Sequence, residues 1–269
     1  MFKTLKACCR VVLQAFVRFN PPVLTRVLRA VPFLPYETRV AFDALPRPYY
    51  AFGIMQAAQE ARQLKMRRIS VVEFGVANGG GLLEMEKIAR HVERVTGVAI
   101  DVYGFDGGAG LPAPEDYRDL PFYWQTGMYP MEEKKLRKRL QRAKLIIGDV
   151  KRTVPSFLKR TFAPIGFIAF DLDLYSSTKR AMQLMKAKPQ QILPRVYCYF
   201  DDIGGGPPHN DRIGVLLVIK EFNDENPQRY LAPFFRLQSL RPAPQFWNEQ
   251  IYVLHDFHHQ KYTAFTGGP

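Results

Sequence analysis

The sequence predicts an α/β fold, a doubly wound and mostly parallel sheet with helices on both faces, an antiparallel C-terminal edge and an N-terminal helical extension. Two observations predict it. From Arg68 onward, short β-rich runs alternate with helical patterns, which is typical of consecutive βα units. The first of these runs, over 69–74, ends in a glycine-rich turn over 75–81, where the chain would cross to a helix.

The expected elements follow in chain order. Residues 1–65 are predicted to form a basic helical extension, with one helix over 2–19 and another over 23–31, separated by Asn20-Pro21-Pro22. Residues 66–269 would form the main domain. Strands are predicted at 69–74, 102–105, 145–147, 166–170, 196–200, 234–240 and 250–255, the last two pairing as the antiparallel edge. Helices are predicted at 82–95, 131–143, 151–160, 176–188 and 211–223.

Composition limits the class of protein. Of 269 residues, 47% are hydrophobic and 23% are charged, which is typical of a chain that buries a core and excludes disorder for most of its length. No stretch approaches the roughly 20 apolar residues that a membrane-spanning helix needs. Three cysteines, Cys8, Cys9 and Cys198, form neither a disulfide framework nor a zinc pattern. They predict a reducing, cytoplasmic compartment.

The chain is strongly basic. Lys and Arg number 38 against 25 Asp and Glu, a net charge of +13, which favours anionic partners such as nucleic acid, phosphorylated substrates or acidic lipid. The basic residues recur at helical spacing rather than in one tract, so we interpret them as solvated helix faces. No nucleic-acid-binding motif is present, and a nucleic-acid partner is not expected. The basic amphipathic start would either pack over the core or make a peripheral membrane contact.

Acidic residues follow most of the predicted strands. In doubly wound sheets, ligands bind outside the carboxyl ends of the strands. Five predicted strands end in or are soon followed by acids, which are Glu73, Asp106, Asp149, Asp171 and the pair Asp201 and Asp202. A lone acid at such a position is often a helix cap. Acids at five strand ends on one rim predict a shared functional crevice.

The first turn separates two classes of cofactor. A nicotinamide-binding turn has the pattern G-x-G-x-x-G, whereas the turn from Gly75 to Gly79 lacks the second glycine. The preceding Glu73 suits a ligand that carries a cation better than one that carries a pyrophosphate. Asp106, at the end of the second strand, offers acceptors for a ribose diol. An adenosyl ligand with a positively charged amino-acid tail fits both groups.

Four segments then show a resemblance to a known family. Residues 73–79 (Glu-Phe-Gly-Val-Ala-Asn-Gly) resemble motif I of class I S-adenosylmethionine (SAM) methyltransferases. Three later segments are similar, in the same order, to the macrocin O-methyltransferase family: 104–112 (Gly-Phe-Asp, then Gly-Leu-Pro), 171–178 (Asp-Leu-Asp-Leu-Tyr-Ser-Ser-Thr) and 200–202 (Phe-Asp-Asp). The resemblance covers about residues 69–203. It implies a Rossmann-like fold and a magnesium-dependent methyl transfer to a hydroxyl of a small molecule, a sugar or a natural-product scaffold.

The resemblance also assigns roles to residues. It implies that Glu73, Gly75 and Gly79 hold the methionine end of SAM, Asp106 the ribose and Asp149 the adenine edge. It implies that Asp171, Asp201 and Asp202 bind Mg²⁺, which agrees with the preference of that ion for carboxylate oxygens. The sequence departs from the family at 107–109 and 203–209, on the side of the acceptor, so the identity of the acceptor stays open.

The sequence offers two candidates for a general base. Related catechol methyltransferases place a lysine three residues beyond the first metal Asp, but that position is Leu174 here. We therefore favour Asp173 as the base, with His209 second. The alternative is that Asp173 only stabilises the N-terminus of the helix that begins near Ser176.

Other interpretations stay open at this stage. The long segment 107–130, rich in Gly, Pro and aromatic residues, would be either a lid or a surface cluster that packs on the N-terminal helices. The histidines at 255, 258 and 259 are interpreted as surface residues. The alternative functions are a nucleic-acid methyltransferase, which the charge would favour, and a non-catalytic SAM-binding scaffold protein. A homo-oligomer is a further alternative.

Overall fold

The computed structural model describes residues 21–31, 33–204, 209–242 and 244–265. The strands are β1 Arg68–Phe74, β2 Ala99–Asp106, β3 Lys144–Ile147, β4 Ile165–Phe170, β5 Ile192–Phe200, β6 Arg229–Pro233 and β7 Ile251–Asp256. They form one seven-stranded sheet in the order β3-β2-β1-β4-β5-β7-β6. β1 to β5 pair in parallel, and β7 runs antiparallel to both β5 and β6. The predicted fold class and its antiparallel C-terminal edge are confirmed.

Helices connect these strands and cover both faces of the sheet. They are α1 Pro21–Ala30, α2 Tyr36–Ala41, α3 Pro48–Gln63, α4 Gly80–Thr96, α5 Glu133–Arg139, α6 Val150–Leu158, α7 Tyr175–Ala181, α8 Gly214–Glu225 and α9 Leu237–Leu240. Every residue of β4 is buried, because a central parallel strand has neighbours on both faces. The helix predicted over 2–19, and with it the membrane alternative, lies outside the described residues. Among those that are described, no helix has the length and apolar character needed to cross a membrane.

A row of aromatic rings lies just beneath the carboxyl ends of the strands. Phe105, Phe74, Phe170 and Phe200 come from β2, β1, β4 and β5 in their order across the sheet, and all are buried. Neighbouring ring centroids are 4.9, 5.4 and 4.8 Å apart. Because each ring is adjacent in sequence to a strand-end acid, this packing holds those acids at the same edge of the sheet.

The helix α3 belongs to the core although it precedes the first strand. Tyr50 and Ile54 are completely buried, and a Cβ atom on Gly53 would lie 2.3 Å from the ring of Phe167 in β4. The missing side chain at Gly53 therefore lets the helix approach the sheet closely. The division into an extension over 1–65 and a domain over 66–269 stays a prediction.

The prediction of a strand at 234–240 is wrong. The edge strand is β6, and the chain then turns into α9. Phe234 and Leu237 are three residues apart and face the core, whereas Phe235 is 78% exposed. This spacing of the core-facing residues is that of a helix and not the alternation of a strand. Arg236 has a φ of +58°, which ends any extended conformation.

Candidate active site

A crevice of about 880 Å³ opens at the carboxyl ends of the parallel strands. The strand order reverses between β1 and β4, and residues that follow both strands line the crevice, as expected at such a switch point. Most of the predicted site residues line it, namely Glu73, Gly75, Asp106, Asp149, Asp171, Asp173, Asp201 and Asp202. Gly79 and His209 are not among the described residues that line it. The roles assigned to all of these residues remain predictions.

The turn after β1 and the loop after β4 are in direct contact. Gly75 has a φ of +82°, and a Cβ atom on it would lie 1.6 Å from the carbonyl oxygen of Asp171. The N–H of Asp171 donates to the carbonyl oxygen of Phe74 at 2.9 Å. Only glycine fits at position 75, for both conformational and steric reasons.

Glu73 presents an unsatisfied oxygen at the base of the crevice. Its side chain is 1% exposed, and the hydroxyl of Tyr50 donates to Oε1 at 2.6 Å. Oε2 has no hydrogen-bond partner. Burial raises the pKa of Glu73 to about 8. A buried polar atom without a partner is costly, so a donor on a bound ligand would stabilise this carboxylate.

Asp106 shapes the turn, a role that the sequence analysis did not assign. Oδ2 accepts hydrogen bonds from the N–H groups of Val76 and Ala77 at 2.8 and 2.9 Å. Oδ1 accepts one from the N–H of Gly108 at 2.6 Å. A carboxylate oxygen has two lone pairs, so Oδ1 keeps one for a ligand hydroxyl such as that of a ribose.

Two further predicted cofactor residues have structural roles here. Gly79 has a φ of +81°, and a Cβ atom on it would lie 2.1 Å from a methyl carbon of Leu136 in α5, so this glycine lets α4 begin beneath α5. Asp149 lines the crevice and also caps α6, because its side chain accepts a hydrogen bond from the N–H of Lys151 at 2.8 Å. Contacts of either residue with a cofactor stay predictions.

Three carboxylates converge on the other side of the crevice. Asp171, Asp201 and Asp202 each offer an oxygen, and these oxygens lie within 4.8 Å of one another. Burial, and then the charges of Asp201 and Asp202, raise the pKa of Asp171 to about 8. Burial also raises the pKa of Asp202. Hard oxygen ligands that repel one another fit a divalent cation such as Mg²⁺, which would offset this repulsion.

Asp201 is held by two neighbouring side chains. The hydroxyl of Tyr199 donates to its Oδ1 at 2.5 Å, and Nε2 of Gln250 donates to its carbonyl oxygen at 2.6 Å. The ring of Tyr199 stacks on that of Tyr49 with centroids 4.2 Å apart. These contacts fix one member of the carboxylate cluster before any ion binds.

Asp173 is buried beside this cluster in an unusual conformation. It has a φ of +61°, and its N–H donates to Oδ2 of Asp202 at 2.9 Å. Burial, and then the charges of Asp171 and Asp201, raise the pKa of Asp173 to about 7. Backbone strain of this kind is often concentrated at functional sites.

Asp119, which the sequence analysis missed, accepts a hydrogen bond at the N-terminus of α7. Its side chain is 1% exposed and accepts hydrogen bonds from the N–H groups of Ser176 in α7 and of Glu115, both at 2.7 Å. It thereby joins the segment 107–130 to α7, the helix that follows the loop after β4. Trp124 and Tyr129 of this segment line the crevice, and the lid interpretation stays a prediction.

His209 and His255 are not among the described residues that line the crevice. His209 is half-buried and follows residues 205–208, which are not described. Nδ1 of His255 lies 2.9 Å from the hydroxyl of Tyr262. In the part of the chain that the structure describes, the three aspartates are the only group of acid, His or Cys side chains arranged to hold a metal.

The strand order and the crevice at its switch point define a class I methyltransferase fold. The calicheamicin methyltransferase CalS11 has this fold, with a TM-score of 0.53, 20% sequence identity, and coverage of 87% of this chain and 90% of that one. MycE methyltransferase from the mycinamycin biosynthetic pathway, in complex with Mg, SAH and mycinamycin VI, has a TM-score of 0.44 and 13% identity over 80% of this chain and 50% of that one. An O-methyltransferase from Bacillus cereus in complex with SAH has a TM-score of 0.40 and 12% identity over 86% and 96% of the two chains. No family model and no curated protein sequence matches the chain.

Proposed function

We propose that the protein is a SAM-dependent, Mg²⁺-assisted O-methyltransferase that acts on a hydroxyl of a small molecule. One observation carries this proposal: the unpartnered Oε2 of Glu73 and the carboxylates of Asp171, Asp201 and Asp202 line the same crevice. The first group suits a cationic ligand tail, and the second suits a divalent ion. The contact between Gly75 and Asp171 keeps the two groups next to each other.

The cofactor half of the site is the turn after β1 with the ends of β2 and β3. Glu73 would accept a hydrogen bond from the α-ammonium of SAM, and the free lone pair of Asp106 Oδ1 would accept one from a ribose hydroxyl. Asp149 would lie at the adenine edge. When bound, SAM supplies a methyl group that is already activated by its sulfonium.

The metal half of the site is the loops after β4 and β5. Asp171, Asp201 and Asp202 would hold Mg²⁺, which supplies Lewis acidity that lowers the pKa of an acceptor hydroxyl. Tyr199 and Gln250 keep Asp201 in place. The preset position of the carboxylates aligns the acceptor oxygen, and alignment is a large part of the rate enhancement of a transfer reaction.

Asp173 would take the proton of the acceptor. In that role a carboxylate oxygen of Asp173 would accept the proton of the acceptor O–H as the acceptor oxygen takes the methyl group of SAM, which would leave S-adenosylhomocysteine. A base is most effective when its pKa lies near the working pH, and the pKa of Asp173 is raised to about 7. His209 is the second choice.

The acceptor proposed is a sugar or a natural-product scaffold. The resemblance to the macrocin family supports this class, and the fold is shared with a calicheamicin methyltransferase. Leu111, Trp124 and Tyr129 give the crevice apolar surfaces on which a sugar ring or a hydrophobic scaffold would pack.

Formation of S-adenosylhomocysteine from SAM tests the proposal. It is measured with Mg²⁺ and a panel of sugars, nucleotide sugars and hydroxylated natural products, for the wild type, Asp173→Asn and Asp202→Asn. We expect a drop of roughly 100-fold or more in both variants. Asp101→Asn is the control, because Asp101 is ion-paired with Arg68 at the opposite ends of the strands, and it should leave the rate unchanged. Methylation of oligonucleotides alone, or SAM binding without turnover of any acceptor, would contradict the proposal.

A further inference from the structure

An arginine from the segment before the sheet lies in the crevice. Arg47 immediately precedes α3, is half-buried and lines the crevice. Its guanidinium lies over the ring of Tyr50, 5.2 Å from the centroid, and Nη1 donates to the hydroxyl of Tyr49 at 3.2 Å. Within the described residues it forms no ion pair with a carboxylate. Its positive charge is therefore held in position and left available to a ligand.

The guanidinium lies next to the start of α4. Nη2 of Arg47 is 3.7 Å from the position that a Cβ atom on Gly80, the first residue of α4, would occupy. α4 has 17 residues, and no side chain caps its N-terminus. The exposed N–H groups and the helix dipole at such an end favour a negative charge.

Glu73 contacts the same turn of α4 with its buried carboxyl group. Its Oε1 lies 1.7 Å, and its Oε2 3.2 Å, from the position that a Cβ atom on Gly81 would occupy. Oε2 is the buried oxygen without a partner. One turn of helix is thus flanked by an unpaired guanidinium and an unpaired carboxylate oxygen. Both groups line the crevice.

We propose that Arg47 and Glu73 together bind the zwitterionic end of an α-amino-acid ligand. Arg47 and the N-terminus of α4 bind the α-carboxylate, and Oε2 of Glu73 binds the α-ammonium. The two parallel N–H groups of a guanidinium match the two oxygens of a carboxylate, which a lysine cannot reproduce. This inference rests on the proposed function, since the zwitterion is the methionyl end of SAM. It makes Arg47 a cofactor-binding residue.

A different role for Arg47 would be to neutralise the acidic crevice. Its charge lowers the pKa of both Glu73 and Asp171. Neutralisation requires only a positive charge, so Arg47→Lys would then behave as the wild type and Arg47→Ala would alter the affinity for Mn²⁺. Carboxylate binding instead predicts a loss that depends on the amino-acid part of the ligand.

Calorimetric titration with two ligands distinguishes these roles. S-adenosylhomocysteine carries the zwitterion, whereas 5′-methylthioadenosine has the same adenosine and thioether without it. Arg47→Ala should weaken binding of S-adenosylhomocysteine about tenfold or more, because a charged hydrogen-bond partner is lost. Binding of 5′-methylthioadenosine should stay within about twofold, and this also shows that the variant is folded. Arg47→Lys should be intermediate, and its Mn²⁺ affinity unchanged.

Arg180→Ala is the matched control. Arg180 also lines the crevice but is ion-paired with Glu115, so its loss should leave the affinity for both ligands unchanged. The inference is overturned if Arg47→Ala binds S-adenosylhomocysteine as tightly as the wild type, or if it weakens both ligands equally. It is also overturned if the wild type binds the two ligands equally. A wild type that binds neither ligand would instead refute the proposed function itself.

Discussion

Gly75 and Asp171 approach each other so closely that a Cβ atom on the glycine would lie 1.6 Å from the carbonyl oxygen of the aspartate. Gly75 begins the turn that would bind the methionine end of the cofactor, and Asp171 belongs to the carboxylate cluster. Because β1 and β4 are neighbours in the sheet, the loops that follow them begin side by side. Displacing one of them must displace the other.

Gly75→Ala should therefore damage both halves of the site. A non-glycine residue at φ +82° costs about 1 kcal/mol, and the backbone clash should bring the loss in the free energy of unfolding to about 3 kcal/mol or more. Affinity for both S-adenosylhomocysteine and Mn²⁺ should fall. Denaturant unfolding and calorimetry measure these effects.

Gly97→Ala is the control for that substitution. Gly97 also has a positive φ, of +73°, but nothing lies within 4 Å of the position of its Cβ atom. It should lose only about 1 kcal/mol and keep both affinities. Equal losses in the two variants would show that the contact between Gly75 and Asp171 is unimportant.

Asp202→Asn should separate metal binding from cofactor binding. Removing one of three neighbouring carboxylates should lower the affinity for Mn²⁺ while leaving that for S-adenosylhomocysteine nearly unchanged. The metal-free variant should melt at a higher temperature than the metal-free wild type, because like charges no longer repel. Calorimetry and thermal unfolding test this. Absence of divalent-ion binding by the wild type, with and without S-adenosylhomocysteine, would refute the metal-assisted mechanism.

The stability of the unliganded protein should fall as pH rises from about 5 to 8. The folded pKa of Glu73 is raised to about 8, so the folded state binds this proton more tightly than the unfolded state, whose pKa is about 4.3. The stabilisation is complete below the unfolded pKa and is lost as pH approaches the folded one. In Glu73→Gln, the free energy of unfolding should fall less between pH 5 and pH 8, by on the order of 2 kcal/mol.

Glu93→Gln is the control for the pH dependence. Hydrogen bonds from Arg142 help lower the pKa of Glu93, so this group titrates below the range concerned. Its substitution should leave the slope between pH 5 and 8 unchanged. A slope that Glu73→Gln does not alter would show that Glu73 is ionised in the free protein.

Asp119→Ala should loosen the segment 107–130. The N–H groups of Ser176 and Glu115 would lose their acceptor, which costs about 2 kcal/mol or more for buried groups. Limited proteolysis within this segment should become faster. Asp116→Ala is the control, because Asp116 belongs to the same segment but forms an exposed ion pair with Arg118, and exposed ion pairs contribute little to stability. Equal cleavage rates in the two variants would contradict the role of Asp119.

Much of the fold could be predicted because the parallel strands are short apolar runs, each ending directly before a polar rim. The strand at 234–240 was mispredicted for a physical reason. In the true edge strand β6, only Leu231 is fully buried, so the run carries little apolar signal. The neighbouring Phe234 is half-buried in a turn and Leu237 is buried in a short helix, and their hydrophobicity was mistaken for that of a strand.

The acids of the site could be predicted because each lies next to a strand end. The local sequence predicts where a parallel strand ends, and all such ends lie at the same edge of the sheet. Arg47, Tyr50 and Asp119 could not, because they reach the site only through the tertiary fold. The hydrogen bond from Tyr50 to Glu73 spans 23 residues, and the one between Asp119 and Ser176 spans 57. No local pattern marks either pair.

The measurement that tests the central claim most directly is calorimetric titration of the wild type with S-adenosylhomocysteine and, separately, with NAD. The account predicts saturable binding of one S-adenosylhomocysteine per chain and a higher melting temperature in its presence. Asp106→Ala should remove most of that shift, since the variant loses both the acceptor for the ribose and the hydrogen bonds that shape the turn. Binding of NAD without any binding of S-adenosylhomocysteine would contradict the account.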